Sequence, residues 1–184
     1  MKTSMGINND KLIKREMMRP LSMKELLDMM PDVKIMKYKE FENVDDIDSF
    51  IDKYKKIILL YESKMNFGHW VALFKGSYDD EPVIEWFDSY GIFPDDERKF
   101  IPKEFLEYYE KVPHTVKLLT KSKYIKRYSQ YKLQGNKTNT CGRWCYVRLR
   151  LSHVSEDKFN DLFTKNMPKG ITPDYLVTLM SMII

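Results

Sequence analysis

Two cysteines, Cys141 and Cys145, and three histidines, His69, His114 and His153, carry the most reactive side chains of this 184-residue chain. Cys141 follows a polar loop, GNKTNT, and opens a helical pattern marked by Trp144, Val147, Leu149 and Leu151. A thiol at a helix start sits at the positive end of the peptide dipoles, beside N–H groups that no preceding turn can pair. Both effects favour thiolate, the form that attacks carbonyl carbon. Lys137 and Arg143 add positive charge nearby. A buried structural cysteine fits the composition equally well, and Cys145, one turn further on the apolar side, reads as that. A thiolate nucleophile also needs an imidazole to take and return a proton, and a group that fixes the imidazole tautomer. His69 opens one strand and Asp88, within WFDSYG, closes the next. As hairpin partners they lie at the same end of a sheet, where a carboxylate can accept from the imidazole N–H. Alone, neither residue means much; the chain order His, Asp, Gln, Cys gives them joint weight. His114 and His153 read as surface or capping residues.

The elements that must position these groups follow from periodicity. Leu21 to Met30 predicts a short helix, opened by Ser22 with Glu25 three residues on, a capping-box spacing. Asp45 to Tyr54 predicts a second, with Ile47, Phe50, Ile51 and Tyr54 on one face. Lys56 to Tyr61, His69 to Lys75 and Pro82 to Phe87 read as strands, the last two as a hairpin. Pro102 to Lys111 predicts a helix with proline at its start, and Thr115 to Leu119 a further strand. Helices are expected from Cys141 to about His153, over Ser155 to Asn166, and over Thr172 to Ile183 with Thr172 as N-cap. Strands in the middle and helices at both ends give an α+β fold, a central mixed or antiparallel sheet flanked by helices. Residues 1–184 read as a single domain, with 1–20 as a flexible N-terminal extension.

The segments GHW (Gly68 to Trp70), FDSYG (Phe87 to Gly91) and LQGNKTNTCGRWC (Leu133 to Cys145) resemble the adenovirus maturation protease, adenain, and its wider clan of cysteine peptidases. That clan includes SUMO-deconjugating peptidases and relatives in large DNA viruses and virophages. The most specific feature is Gln134-Gly135 followed by Cys141, seven positions after Gln134, with CG-x-x-C completing the motif. The resemblance implies a papain-like active-site arrangement in circularly permuted order. Cys141 would be the nucleophile, His69 the base, Asp88 its orienting acid and Gln134 an oxyanion donor beside the backbone N–H of Cys141. Trp70, typical after the histidine, is expected at the substrate. Adenain carries Glu where this chain has Asp88, as the SUMO peptidases do. Adenain is also tethered to an activating peptide through an upstream cysteine; no cysteine precedes Cys141 here, so a disulfide-linked activator is excluded. The implied function is a viral maturation endopeptidase that cuts capsid or core precursors at small, glycine-type sites. The alternatives are a deconjugase of SUMO or ubiquitin-like tags, or a non-catalytic DNA-binding protein on the same scaffold.

Composition sets the limits on these readings. Hydrophobic residues make up 43% and charged residues 32%, ordinary for a folded soluble protein. No apolar run approaches the roughly 20 residues that cross a bilayer, and no membrane partner is expected. Two cysteines four apart form no disulfide framework, and no histidine is spaced with them as in a zinc site. No metal or other cofactor is required for the chemistry. From Lys111 to Ser155 there are eleven Lys or Arg residues and no Asp or Glu, inside a chain of net charge +4. Lys123, Lys126, Arg127 and Lys132, interleaved with Tyr124, Tyr128 and Tyr131, could follow a phosphate backbone, or form a solvated face. Since adenain-like enzymes use DNA as a cofactor, the resemblance makes double-stranded DNA or a non-covalent peptide activator the expected accessory, beside a protein substrate. The expected setting is intracellular, in host cytoplasm or a viral factory, with packaging into the virion.

Overall fold

Alternate residues of the apolar run at 57–61 face opposite sides of a sheet that is covered on both faces, so the run needs no polar alternation. The computed structural model describes residues 4–107, 113–165 and 167–184. In chain order these form α1 (Ser4–Met18), α2 (Met23–Met29), β1 (Lys34–Lys37), α3 (Tyr38–Phe41), α4 (Ile47–Tyr54), β2 (Lys56–Lys64), β3 (Phe67–Tyr78) and β4 (Glu81–Phe87). A 3-10 turn (Asp96–Phe100), α5 (Lys103–Leu106), α6 (His114–Lys121), β5 (Ile125–Tyr128), α7 (Cys141–Arg150), α8 (Glu156–Thr164) and α9 (Pro173–Ser181) follow. The fold is α+β. Its five strands form one mixed sheet in the order β1-β2-β3-β4-β5, parallel at both edges and antiparallel between. Ile58, Leu60, Trp70, Ala72 and Phe87 pack with α2, α7, α8 and α9, while Ile57, Leu59, Val71, Leu73 and Trp86 pack with α3, α4 and α6.

The hairpin that sets up the site has a clear local cause. Asp79 and Asp80 join β3 to β4 with φ of 52° and 64°. Two successive left-handed residues make the tight turn whose twist matches that of paired strands, and Asp tolerates that conformation. The register pairs Ala72 with Phe87, so the chain leaves β4 close to the start of β3. Elsewhere the helix signals act as expected. Ser22 and Glu25 form a reciprocal capping box on α2, and Thr172 caps α9 ahead of Pro173.

Several expectations are corrected. Thr115 to Leu119 is not a strand but part of α6, where Thr115, Leu118 and Leu119 are buried at helical spacing. The β-branched pair Thr115 and Val116 suggests a strand locally, and tertiary packing overrides it. His114 is buried rather than superficial, with Nε2 3.1 Å from the Val44 carbonyl oxygen. Strands β1 and β5 have no counterpart in the sequence reading, since four-residue edge strands carry too little pattern. Of the helix expected at 102–111, Lys103–Leu106 is helical and residues 108–112 lie outside the described residues. The stretch read as an N-terminal extension contains α1, which lies against α9.

Candidate active site

The hairpin brings His69 and Asp88 together, with His69 Nε2 2.8 Å from Asp88 Oδ2. Asp88 is fully buried, and its Oδ1 accepts from the Tyr90 N–H at 2.6 Å. Its own N–H donates to Ser129 Oγ at 2.7 Å, and Ser129 Oγ donates back to the Asp88 carbonyl at 2.9 Å. The carboxylate is thereby fixed in position before it meets the imidazole. The Tyr90 ring stacks on the imidazole with centroids 5.1 Å apart. With Nε2 engaged by Asp88, Nδ1 is left for the Cys141 thiol, which lies within hydrogen-bonding reach of the ring. Burial by itself would depress the imidazole pKa. The charge and hydrogen bond of Asp88 outweigh it, helped by Cys141, and hold His69 well above its ordinary value.

Cys141 is the first residue of α7, after Thr140 as N-cap. Thr140 makes no side-chain cap; its hydroxyl is turned to Asp174 instead. The first-turn N–H groups therefore have no capping side chain competing for them. Gly142 sits at a close approach: a Cβ there would lie 3.2 Å from both Leu21 Cβ and Trp70 Cδ1, so those side chains would have to give way. Both cysteines are free thiols. Cys145 is fully buried in the core, and burial together with the neighbouring Cys141 pushes its pKa well up, so it remains a neutral thiol.

Gln134 reaches the same place from the preceding loop and is almost fully buried. Its Oε1 accepts from Ser89 Oγ at 2.7 Å and its Nε2 donates to the Thr138 carbonyl at 3.0 Å. The carbonyl oxygen of Ser89 accepts from the N–H of both Leu133 and Gln134, each at 2.9 Å. Adjacent residues of one corner, Asp88 and Ser89, thus hold the imidazole and the glutamine respectively. His69, Gln134 and Cys141 line a cavity of about 600 Å³ together with Tyr61, Tyr90 and Glu97, and Asp88 is buried behind His69.

Other residues of this neighbourhood escape sequence reasoning. Asp174, at the start of α9, accepts from the Gly135 N–H at 2.7 Å, Thr138 Oγ1 at 2.9 Å, Thr140 Oγ1, and Trp144 Nε1 at 2.9 Å. One carboxylate from the far end of the chain therefore organises the loop between Gln134 and Cys141. Nothing in its local sequence signals this, because an Asp in the first turn of a helix is ordinary. Removing it strands several buried donors. Asp174→Ala is expected to lose about 3 kcal/mol of stability in denaturant melts, the scale of leaving buried polar groups unsatisfied. An unchanged melting midpoint would show that the loop holds its shape without the clamp.

Trp70 is buried in the core and does not line the cavity; its Nε1 donates to the Leu21 carbonyl at 3.0 Å. Arg143, expected to electrify the thiol, is buried and turned to Glu16 at 2.8 Å. Arg148 is fully buried in a bidentate pair with Glu85, at 2.8 Å for each bond. Two charges of the basic segment are thus internal, and Lys111 lies outside the described residues. Lys123 Nζ lies 3.6 Å from Asp52, Lys126 Nζ donates to the Ser122 carbonyl, and Lys132 Nζ donates to Asn136 at the cavity rim. Arg127 lies at a separate cleft with Tyr78 and His153. Among the described residues, no group of three His, Cys, Asp or Glu side chains is placed to hold a metal, and no helix is long and apolar enough to cross a membrane.

No family model matches the chain. Two crystal structures of the ASFV pS273R protease are similar to it, with TM-scores of 0.45 and 0.42 and sequence identities of 17% and 19%. The matches cover 87% and 81% of this chain, which spans 63% and 57% of those chains. Uncharacterized protein V9 of the Sputnik virophage is 35% identical over 170 residues, 88% of this chain and 93% of V9. By this similarity the chain belongs to the family of virophage protein V9.

Proposed function

We propose that this protein is a cysteine peptidase in which Cys141 attacks, His69 moves the proton, Asp88 orients His69 and Gln134 stabilises the oxyanion. The observation that carries the reading is a thiol at a bare helix N-terminus, within reach of an imidazole whose other nitrogen is held by a buried carboxylate. Thiolate attack on a peptide carbonyl places negative charge on its oxygen. The backbone N–H of Cys141 and the second amide hydrogen of Gln134 are the donors that receive it, and they need no reorganisation as charge develops. His69 then protonates the leaving amine, and water, deprotonated by His69, releases the acyl group. The order His, Asp, Gln, Cys makes the site a circular permutation of the papain arrangement.

The substrate is proposed to be a structural precursor protein of a virus or virophage, cut after a small residue such as glycine. Kinship with a virophage protein supports that setting over a cellular one. The test is cleavage of a peptide library by the purified protein, with full-length SUMO and ubiquitin conjugates in parallel. Cleavage after small residues, abolished by alkylating Cys141, is the expected result. Conjugate removal with no library cleavage would reassign the substrate, and the absence of any thiol-dependent hydrolysis would overturn the reading.

The glutamine provides a graded check. Gln134→Ala is expected to lower kcat by about 10²-fold, the scale of one oxyanion donor. Ser89→Ala, which removes the hydroxyl fixing Oε1, should lower it by about tenfold, since one hydrogen bond is lost but the amide remains. Single-turnover kinetics would separate these effects from changes in peptide binding.

A further inference from the structure

Glu97, in the 3-10 turn after β4, is 2% exposed, and among the described residues no donor from another residue pairs with either of its carboxyl oxygens. Two residues earlier, buried Asp95 is well supplied, accepting from the Tyr38 hydroxyl and from the Val116 N–H at 2.9 Å. An ionised carboxylate left unpaired in an interior is strongly disfavoured, so such a group is expected to be neutral or to meet a partner. Glu97 lines the cavity that holds His69 and Cys141, and its carboxyl faces that of Asp88 within hydrogen-bonding range. Two buried carboxyls so close cannot both be ionised without heavy repulsion, whereas one proton between them satisfies both.

We propose that Glu97 is a positioning residue of this site: it holds a proton and donates it in a hydrogen bond to Asp88, locking the carboxylate that orients His69. The inference rests on the peptidase reading for its effect on turnover, but the protonation itself can be read without activity. It completes the set of partners around Asp88. One oxygen takes the Tyr90 N–H, the other takes His69, and the Glu97 hydroxyl supplies a further donor. The other ionisable groups of this neighbourhood are Tyr61 on β2, Asp95, and Tyr90, Cys141 and Lys132 around the cavity. The one cation among them, Lys132, donates to Asn136 at 2.7 Å rather than to Glu97. Burial first, and the charge of Asp88 second, push the Glu97 carboxyl well above the ordinary carboxylate range, against smaller opposing contributions from its own backbone N–H and His69.

The test compares Glu97→Gln with Glu97→Leu, using NMR titration of the His69 imidazole, resolved among only three histidines, and kinetics on a cleaved peptide. Glutamine is neutral and can still donate to Asp88. It is expected to leave the imidazole titration within a few tenths of a pH unit of wild type, and kcat within about twofold. Leucine fills the space without donating, and should lower kcat about tenfold with KM little changed, the scale of one lost hydrogen bond to a charged group. A large downward shift of the imidazole titration in Glu97→Gln would mean that Glu97 is ionised in the native protein, and would overturn the proposal. So would a leucine variant as active as wild type. If wild type cleaves nothing, the peptidase reading fails separately, and the imidazole titration still decides the state of Glu97.

Discussion

Cys141→Ala is expected to bring thiol-dependent peptide cleavage down to background, with the fold unchanged. Removing the nucleophile of a hydrolytic site costs on the order of 10⁶ in kcat, because no neighbouring group replaces the covalent step. The substitution removes one sulfur atom from a side chain that borders a cavity, so the packing loss is small. Cys145→Ala is the necessary control. That thiol lies one turn deeper in the core, and its replacement should cost roughly 1 kcal/mol of stability and leave most of the activity. Mass spectrometry after brief exposure to iodoacetamide gives an independent reading, since Cys141 should be alkylated and Cys145 spared. Exchanged phenotypes, or preferential labelling of Cys145, would move the nucleophile to the other cysteine.

Asp88→Asn is expected to reduce kcat by about 10⁴-fold, the effect seen when an orienting carboxylate is replaced by its amide. The local geometry explains the size. The Tyr90 N–H, 2.6 Å from Asp88 Oδ1, needs an acceptor and will take the amide oxygen of the asparagine. The NH₂ group then faces His69 Nε2 and donates to it. This puts the imidazole hydrogen on Nδ1, the nitrogen that must accept a proton from Cys141. A second readout is independent of turnover. The folded His69 pKa is raised by Asp88, so the pair contributes its full stability below the unfolded value of about 6.5, and that contribution fades as pH rises through the folded value. The stability difference between wild type and Asp88→Asn should therefore be largest near pH 6 and shrink toward alkaline pH. A difference that grew with pH would contradict the assigned ion pair.

Some of this site was legible because its positions follow from short-range rules. A tight turn between two strands places the start of one beside the end of the other, and this suffices to predict that His69 and Asp88 meet. Cys141 announces itself by the change from a polar loop to helical periodicity. What could not be read lies in contacts between elements distant in sequence. Asp174 reaches the loop before Cys141 across more than thirty positions, and Glu97 meets Asp88 from a 3-10 turn that packs against β2. Charge counting failed for a related reason. Arg143 and Arg148 add to a basic run in sequence, yet each is buried against an acid from outside that run, Glu16 and Glu85. The strand expected over Thr115 to Leu119 is a helix because burial of Thr115, Leu118 and Leu119 at helical spacing outweighs the local β propensity of Thr115 and Val116.

The link from α9 to the loop also sets a clock on the molecule. His69, Asp88, Gln134 and Cys141 are all synthesised before Asp174, the residue that pins Gly135, Thr138 and Thr140. A nascent chain that already contains every reactive group therefore lacks the support of its own loop until α9 has emerged and docked. On the proposed reading, cleavage is therefore expected only after α9 has docked and Asp174 holds the loop before Cys141.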